Sequence, residues 1–260
     1  MTGEPRAPRT VPDLRVLADA AALATAAAEE FARRAAEAVR ARGRFAVALS
    51  GGATPAAMFE RLATRAPSRF SALPWAWTHV FWGDERTVPP EHPDSNFRLA
   101  ESLLLSRVPI PPANIHRVRA ELPDAATAAA EYEAELRRFF RVGLGGTPRF
   151  DLVLLGLGAD GHTASLFPGS SAVEERTRLV AATRVTRLGV ERITLTLPVL
   201  NHAAAVAFLV SGEAKAAMLR EVLEGDRPAA EVPAKLVRPD GDLVFLADAA
   251  AAALLSSHRP

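Results

Sequence analysis

The chain has 260 residues, 49% of them hydrophobic, which suits one large α/β domain or one domain with a small lobe. Its 31 lysines and arginines nearly balance its 30 aspartates and glutamates, so the charge favours neither nucleic acid nor a membrane surface as a partner. Because there is no cysteine, disulfides, thiolate catalysis and cysteine-bound metals are excluded.

The N-terminal segment MTGEPRAPRT is polar and contains prolines. It predicts a flexible tail over residues 1–10, followed by a single α/β domain over residues 11–260. The segment lacks the apolar core of a signal peptide, and the longest apolar stretches, such as residues 203–210, are too short to span a bilayer. We therefore expect a cytoplasmic protein.

The first half of the domain predicts alternating helices and strands. An alanine-rich helix is predicted over residues 19–42, with Gly43 where a glycine ends helices. The run RFAVALSGG predicts a buried strand and a tight turn, after which Thr54 as a cap and Pro55 open a helix to about residue 65. The next strand is predicted over residues 78–84. Helices over residues 95–107 and 124–140 follow, with a short strand from Asn114 between them.

The second half continues the alternation. FDLVLLGLG, from Phe150, is nearly all apolar, as expected for a central parallel strand covered by helices on both faces. Strands are predicted near residues 178–184, 191–196 and 204–210 and from Leu243, with a helix over residues 213–224. This order predicts a doubly wound, mainly parallel sheet flanked by helices. Ligands of such sheets bind where strands end, so we expect a site formed by residues 50–54, 83–86 and 156–162.

The first of these segments, SGGATP, predicts an anion site or an ordinary turn. Gly51 and Gly52 would let backbone amides approach a ligand, and the following helix would present its N-terminal amides to a phosphate. The hydroxyls of Ser50 and Thr54 would add donors. The alternative is a strand-to-helix turn capped by Thr54. The GK[ST] ending of a Walker loop is missing.

The second segment, WGDERTV, places Asp84, Glu85 and Arg86 together at a strand end. A carboxylate beside an arginine can act as a base next to a phosphate-binding cation. It can equally form a surface ion pair, which contributes little to stability. The pattern leaves both interpretations open.

The third segment, GLGADGHTASLFP, places Asp160 and His162 among glycines at the end of the central strand. Residues two apart need not touch, but a flexible turn can present both side chains to one cleft. A histidine in this position favours a functional role over a structural one. The letters also fit GxGxxG, but neither a following helix nor an acid at the end of the next strand supports dinucleotide binding.

Lys215, in SGEAKAAML, is predicted in the first turn of the helix over residues 213–224. A lysine there opposes the helix dipole unless an anion neutralises it. The position therefore indicates a phosphate ligand or, alternatively, a solvated surface lysine.

Taken in order, these segments resemble the 6-phosphogluconolactonase family over residues 14–255. The matching stretches are ALSGGATP, WGDERTVP with DSNFRLA, LLGLGADGHTASLFPG, RITLTLPVLN, VSGEAKA and PAKLVRPDGDLVFLADAAAA. The resemblance implies a Rossmann-related α/β fold shared with glucosamine-6-phosphate deaminases and ribose-5-phosphate isomerase-like proteins. It also implies a catalytic domain that hydrolyses a small phosphorylated sugar lactone, with a possible functional link to glucose-6-phosphate dehydrogenase.

The resemblance assigns roles to individual residues. It implies that His162 is the catalytic base and that Asp160 and Asp84 are the acidic residues of the site. It assigns phosphate binding to Ser50, Gly51, Gly52, Thr54, Arg86 and Lys215, with Arg192 as a weaker candidate. A histidine suits proton removal from water near neutral pH, and a lactone is an activated ester. We expect neither a cofactor nor a metal, since none of the six histidines shows an HExxH spacing.

Two alternatives remain open. One is an isomerase or deaminase of amino-sugar phosphates, but those relatives carry a further acid after the Gly-His pair. Here TASLFP, with Leu166 and Phe167, contains none. The other is a sugar-phosphate sensor, which would need a DNA-binding helix-turn-helix, and the N-terminal segment is too short for one.

Overall fold

The computed structural model describes residues 12–64, 70, 72–185 and 189–256. The predicted tail over residues 1–10 lies outside this part of the chain. The strands are β1 Asp13–Leu17, β2 Phe45–Leu49, β3 Thr78–Trp82, β4 Asp84–Arg86, β5 Leu152–Gly156, β6 Val180–Val185, β7 Val190–Leu195, β8 Ala205–Val210 and β9 Asp242–Asp248. The helices are α1 Ala20–Arg42, α2 Ala53–Leu62, α3 Asn96–Leu103, α4 Ala125–Phe140, α5 Ser171–Glu174, α6 Leu197–Asn201, α7 Ala216–Glu224 and α8 Ala249–Ala252.

The larger sheet has the strand order β1-β9-β8-β5-β2-β3, and all its strands run parallel. The central strands β2 and β8 are buried at every residue, as their continuous apolar sequences require. The predicted α/β fold with a mainly parallel, doubly wound sheet is confirmed. Among the described helices, none has the combined length and apolar composition of a membrane span.

A second sheet of three antiparallel strands, β4-β7-β6, lies beside the first. The chain passes from one sheet to the other at Gly83, whose N–H donates to Leu49 in the first sheet and whose carbonyl accepts from Leu195 in the second. The sequence predicted that Asp84, Glu85 and Arg86 lie at the end of the preceding strand, but that strand ends at Trp82. They form a short strand of the second sheet.

Local capping explains where several helices begin and end. Asp19 accepts a hydrogen bond from Ala22 at the start of α1, and Gly43 ends that helix at φ 72°. Asp124 caps α4 in the same way. The prediction that Thr54 caps α2 was wrong, because Gly52 occupies the cap position and Thr54 lies inside the first turn.

Three further predictions need correction. The strand expected from Asn114 is absent from the described structure: Pro112–Asn114 form a 3-10 turn, and Ile115 makes a single bridge to Val80. Pro112 opens that turn, so Asn114 belongs to the turn and not to a strand. Helix α3 is shorter than residues 95–107, since Ser95 is its cap and the helix ends at Leu103. The short edge strand β1 was not predicted.

The strand order has a reversal between β2 and β5. From β2 the chain proceeds to β3 on one side, whereas from β5 it proceeds to β8 on the other. Loops that leave adjacent strands in opposite directions open a crevice at the carboxyl edge of the sheet. The segments that follow β2 and β5 meet at this crevice.

Candidate active site

A cleft of about 420 Å³ lies at this edge, a size suited to a sugar phosphate. Eight of the predicted site residues line it: Ser50, Gly51, Gly52, Thr54, Asp84, Arg86, His162 and Lys215. Of the other two, Asp160 contacts His162, and Arg192 lies opposite Arg86 in the β4–β7 pair. The fold thus brings together segments that are more than 150 residues apart in the sequence.

Asp160 and His162 form a direct hydrogen bond, which their spacing alone did not require. The distance between Asp160 Oδ1 and His162 Nδ1 is 2.5 Å. Because a carboxylate only accepts, Nδ1 carries the hydrogen, and Nε2 keeps the lone pair that can take a proton. The bond from Gly158 N–H to the His162 carbonyl, 2.8 Å, closes the turn, in which Gly161 has φ 85°.

Phe167 covers one side of the imidazole. The two rings stack with their centroids 4.3 Å apart and their planes 29° apart. Together with the bond to Asp160, this contact restricts the rotation of the His162 ring. The deaminase alternative would need an acid in the segment after the Gly-His pair. Here that segment has Leu166 and Phe167 and no acid.

The segment after β2 retains polar groups without protein partners. No side chain caps α2, and the Ser50 hydroxyl is buried without a hydrogen-bond partner in the described structure. A helix N-terminus with uncapped amides is an anion-binding arrangement. An anion at Ser50, Gly51 and Gly52 would satisfy both the amides and the hydroxyl.

Two cations, Arg86 and Lys215, line the same cleft, and Arg192 lies opposite Arg86 in the β4–β7 pair. Arg86 donates from Nη1 to the Asp94 carbonyl at 2.8 Å, while its buried Nε has no partner in the described residues. Lys215 ends a 3-10 turn, Glu213–Lys215, and occupies the cap position of α7. Lys215 was predicted in the first turn of the helix, but α7 begins at Ala216, one residue after it. Burial, and then the neighbouring charge of Arg86, lower the pKa of Arg192.

Glu85 has a structural role. Its carboxylate accepts from the backbone N–H groups of Arg86, Asn96 and Phe97 at 2.7–2.8 Å and thereby caps α3. Burial raises the pKa of Glu85, and these three backbone hydrogen bonds oppose that rise. The surface ion pair considered for this segment is therefore not what Glu85 forms.

Two residues at the site were missed by sequence reasoning. Ser165 Oγ lies 2.7 Å from Asp84 Oδ2, and Asn96 Nδ2 lies 2.9 Å from the Asp84 carbonyl oxygen. Both side chains are buried. The stretches DSNFRLA and TASLFP contain them, but a hydrogen bond across 81 residues has no signal in either stretch alone.

Another groove, of about 410 Å³, lies on α4 near His116 and Glu131. Its polar side chains already bind one another: His116 Nδ1 is 2.8 Å from Glu135, and Arg119 is 3.1 Å from Glu131. Burial lowers the pKa of His116 to about 4, so it stays neutral near pH 7. The groove has no counterpart to the unpartnered groups of the first cleft.

We expect Gly158→Ala to abolish most of the activity. A Cβ at Gly158 would overlap His162 Nδ1 and Asp160 Oδ1, so the hydrogen-bonded pair would have to separate. Gly143→Ala is the matched control, since a Cβ there meets nothing within 4 Å. Turnover and melting curves of both variants test this. Unchanged kcat in Gly158→Ala would show that the pair is not needed.

Comparison with known proteins agrees with the geometry. The family model described as glucosamine-6-phosphate isomerases/6-phosphogluconolactonase matches residues 18–245. A 6-phosphogluconolactonase of Nostoc sp. is 42% identical over 94% of this chain and 98% of its own length. The structure of 6-phosphogluconolactonase from Trypanosoma brucei superposes with a TM-score of 0.82 and 28% identity, over 95% of this chain and 100% of the other.

The chain therefore belongs to the glucosamine-6-phosphate isomerase/6-phosphogluconolactonase family. Within that family its similarity is to the 6-phosphogluconolactonases, which are enzymes. A monomeric glucosamine-6-phosphate deaminase superposes with a TM-score of 0.77 at 21% identity, covering 93% of this chain and 99% of the other. This last likeness concerns the fold alone.

Proposed function

We propose that the protein hydrolyses 6-phospho-D-glucono-1,5-lactone to 6-phosphogluconate, as a step of the oxidative pentose phosphate pathway in the cytoplasm. The hydrogen-bonded Asp160–His162 pair, at a cleft with unpartnered anion-binding groups, is the observation that carries the proposal. The 6-phosphogluconolactonase relatives support it. A functional link to glucose-6-phosphate dehydrogenase is part of the same proposal.

The chemistry needs a base and a fixed substrate. His162 Nε2 removes a proton from water as the water attacks the lactone carbonyl, and Asp160 stabilises the imidazolium that forms. The ring oxygen leaves the carbonyl carbon as the tetrahedral intermediate collapses, and it takes up the proton. Amides of the glycine loops or a basic side chain stabilise the oxyanion.

The phosphate is remote from the reacting carbon, and its binding energy orients the ring. The Ser50, Gly51 and Gly52 segment, the first turn of α2 with Thr54, and the cations Arg86 and Lys215 would hold it. Arg192, beside Arg86, would add to the same positive field. Asp84, which also lines the cleft, would face the sugar.

The deaminase or isomerase alternative requires an additional acid to open a sugar ring. Phe167 stacks on His162 where the chain continues from the Gly-His pair, and TASLFP supplies no carboxylate. Nothing in the described cleft favours that reaction over lactone hydrolysis. It serves instead as the competing outcome of the assay.

The direct test is hydrolysis of freshly prepared 6-phosphogluconolactone by the purified protein, followed through the acid that is released. We expect a rate well above spontaneous hydrolysis and no conversion of glucosamine 6-phosphate. A protein that leaves the spontaneous rate unchanged but converts glucosamine 6-phosphate would refute the proposal.

A further inference from the structure

Two buried polar side chains without a part in the proposed reaction converge on Asp84. Ser165 is 1% exposed and Asn96 is 3% exposed. Ser165 Oγ donates to Asp84 Oδ2 at 2.7 Å, and Asn96 Nδ2 lies 3.4 Å from Asp84 Oδ1. Both oxygens of the carboxylate thus have a neighbouring donor. Buried polar groups of this kind restrict one another to a single arrangement when all are satisfied.

Asn96 also connects the segments that follow β2 and β3. Its Nδ2 donates to the Asp84 carbonyl at 2.9 Å, and its Oδ1 lies so close to Gly51 that a Cβ on that glycine would overlap it. Its own N–H donates to the Glu85 carboxylate at 2.7 Å, which fixes the first residue of α3. The side chain is therefore held between Gly51 and Asp84.

Ser165 connects Asp84 to the loop that carries His162. Ser165 follows His162 by three positions, and Ala164 between them has a left-handed backbone with φ 47°. The Ser165 N–H donates to Thr194 Oγ1 at 3.2 Å, and Thr194 is the residue opposite Asp84 in the β4–β7 pair. Ser165 thus bonds to both strands of that pair from the His162 loop.

We infer that Ser165 and Asn96 are positioning residues that hold the Asp84 carboxylate as a fixed hydrogen-bond acceptor in the active-site wall. This inference rests on the proposed function. An ionised carboxylate has about four lone-pair sites, so two donors leave acceptor capacity for a sugar hydroxyl. The two acidic residues then have separate roles: Asp160 orients the imidazole, and Asp84 receives the substrate.

A double-mutant cycle tests whether Ser165 acts through Asp84. We expect Ser165→Ala to lower kcat/KM for the phosphorylated lactone about tenfold or more, the usual effect of losing a hydrogen bond to a charged group. In an Asp84→Ala background the same change should have almost no further effect, because the interacting partner is already gone. The same cycle applies to Asn96→Ala.

Further variants distinguish positioning from folding. Thr78→Val removes a buried hydroxyl that donates to Pro74 at the opposite end of β3, so we expect a lower Tm with unchanged kcat/KM. Ser165→Thr keeps the hydroxyl and should retain more activity than Ser165→Ala. If Ser165→Ala does not fold, Ser165→Cys, which is similar in size and a weaker donor, takes its place in the cycle.

The outcomes separate the two hypotheses. Losses that multiply in the double variant would show that Ser165 acts through the general stability of the fold, which would overturn the inference alone. A wild-type protein without lactonase activity would refute the proposed function and this inference with it. A loss that disappears in the Asp84→Ala background, with an active wild type, supports both.

Discussion

His162→Ala should lower kcat for the phosphorylated lactone by about two to four orders of magnitude with little change in KM, as expected when a general base is lost. Asp160 at 2.5 Å and the stacked Phe167 hold the imidazole in place, so its removal deletes the base without removing a phosphate ligand. Steady-state kinetics of the purified variant measure the effect. His162→Asn should be nearly as inactive, since an amide takes no proton near pH 7.

The chain offers a matched control for this experiment. His202 Nδ1 lies 2.9 Å from Asp240 Oδ2, so it forms the same kind of pair, but both side chains are exposed on the surface. We expect His202→Ala to retain wild-type activity. A His162→Ala protein that melts like the wild type and stays active would remove His162 from the mechanism.

Arg86→Ala and Lys215→Ala should each lower kcat/KM for the phosphorylated lactone by roughly ten- to more than a hundredfold, because a charge-assisted contact is worth on the order of 1.5–3 kcal/mol. Both side chains line the cleft around the uncapped start of α2. The same substitutions should barely change the slow hydrolysis of unphosphorylated gluconolactone. Kinetics with both substrates give the comparison.

Arg119→Ala controls for the loss of a positive charge, since Arg119 is exposed and already paired with Glu131 at 3.1 Å. It should leave both substrates unaffected. Equal losses on the two lactones in Arg86→Ala and Lys215→Ala would show that these residues serve the reacting centre or the fold. The phosphate assignment would then be wrong.

The elements that sequence reasoning predicted well are those with strong local signals. Helix α1 has a capping aspartate at one end and a left-handed glycine at the other, and β5 is a continuous apolar run. Strand β1 lacks such a signal, because DLRVL is short and lies at the sheet edge beside β9. The second sheet also depends on a pairing between Asp84 and Thr194, which are far apart in the chain, and periodicity does not encode such a pairing.

The candidate site shows the same division. The parallel-strand rule directed the prediction to the ends of β2 and β5, and the structure brings those ends together. The contact between Asp160 and His162 depends on a tight turn that only the three-dimensional backbone reveals. Asn96 and Ser165 escaped prediction because each belongs to the site through a partner from another segment.

The cleft draws its two kinds of chemistry from different parts of the chain. The imidazole, its orienting carboxylate and the covering ring all come from one stretch, residues 160–167, whereas the phosphate candidates come from residues 50–54, Arg86 and Lys215. Under the proposed function, a few substitutions in that stretch would change the reaction without disturbing recognition of the phosphate. Such a division offers a short evolutionary route between reaction types on one scaffold. One family model that spans isomerases and lactonases is what this modularity would produce.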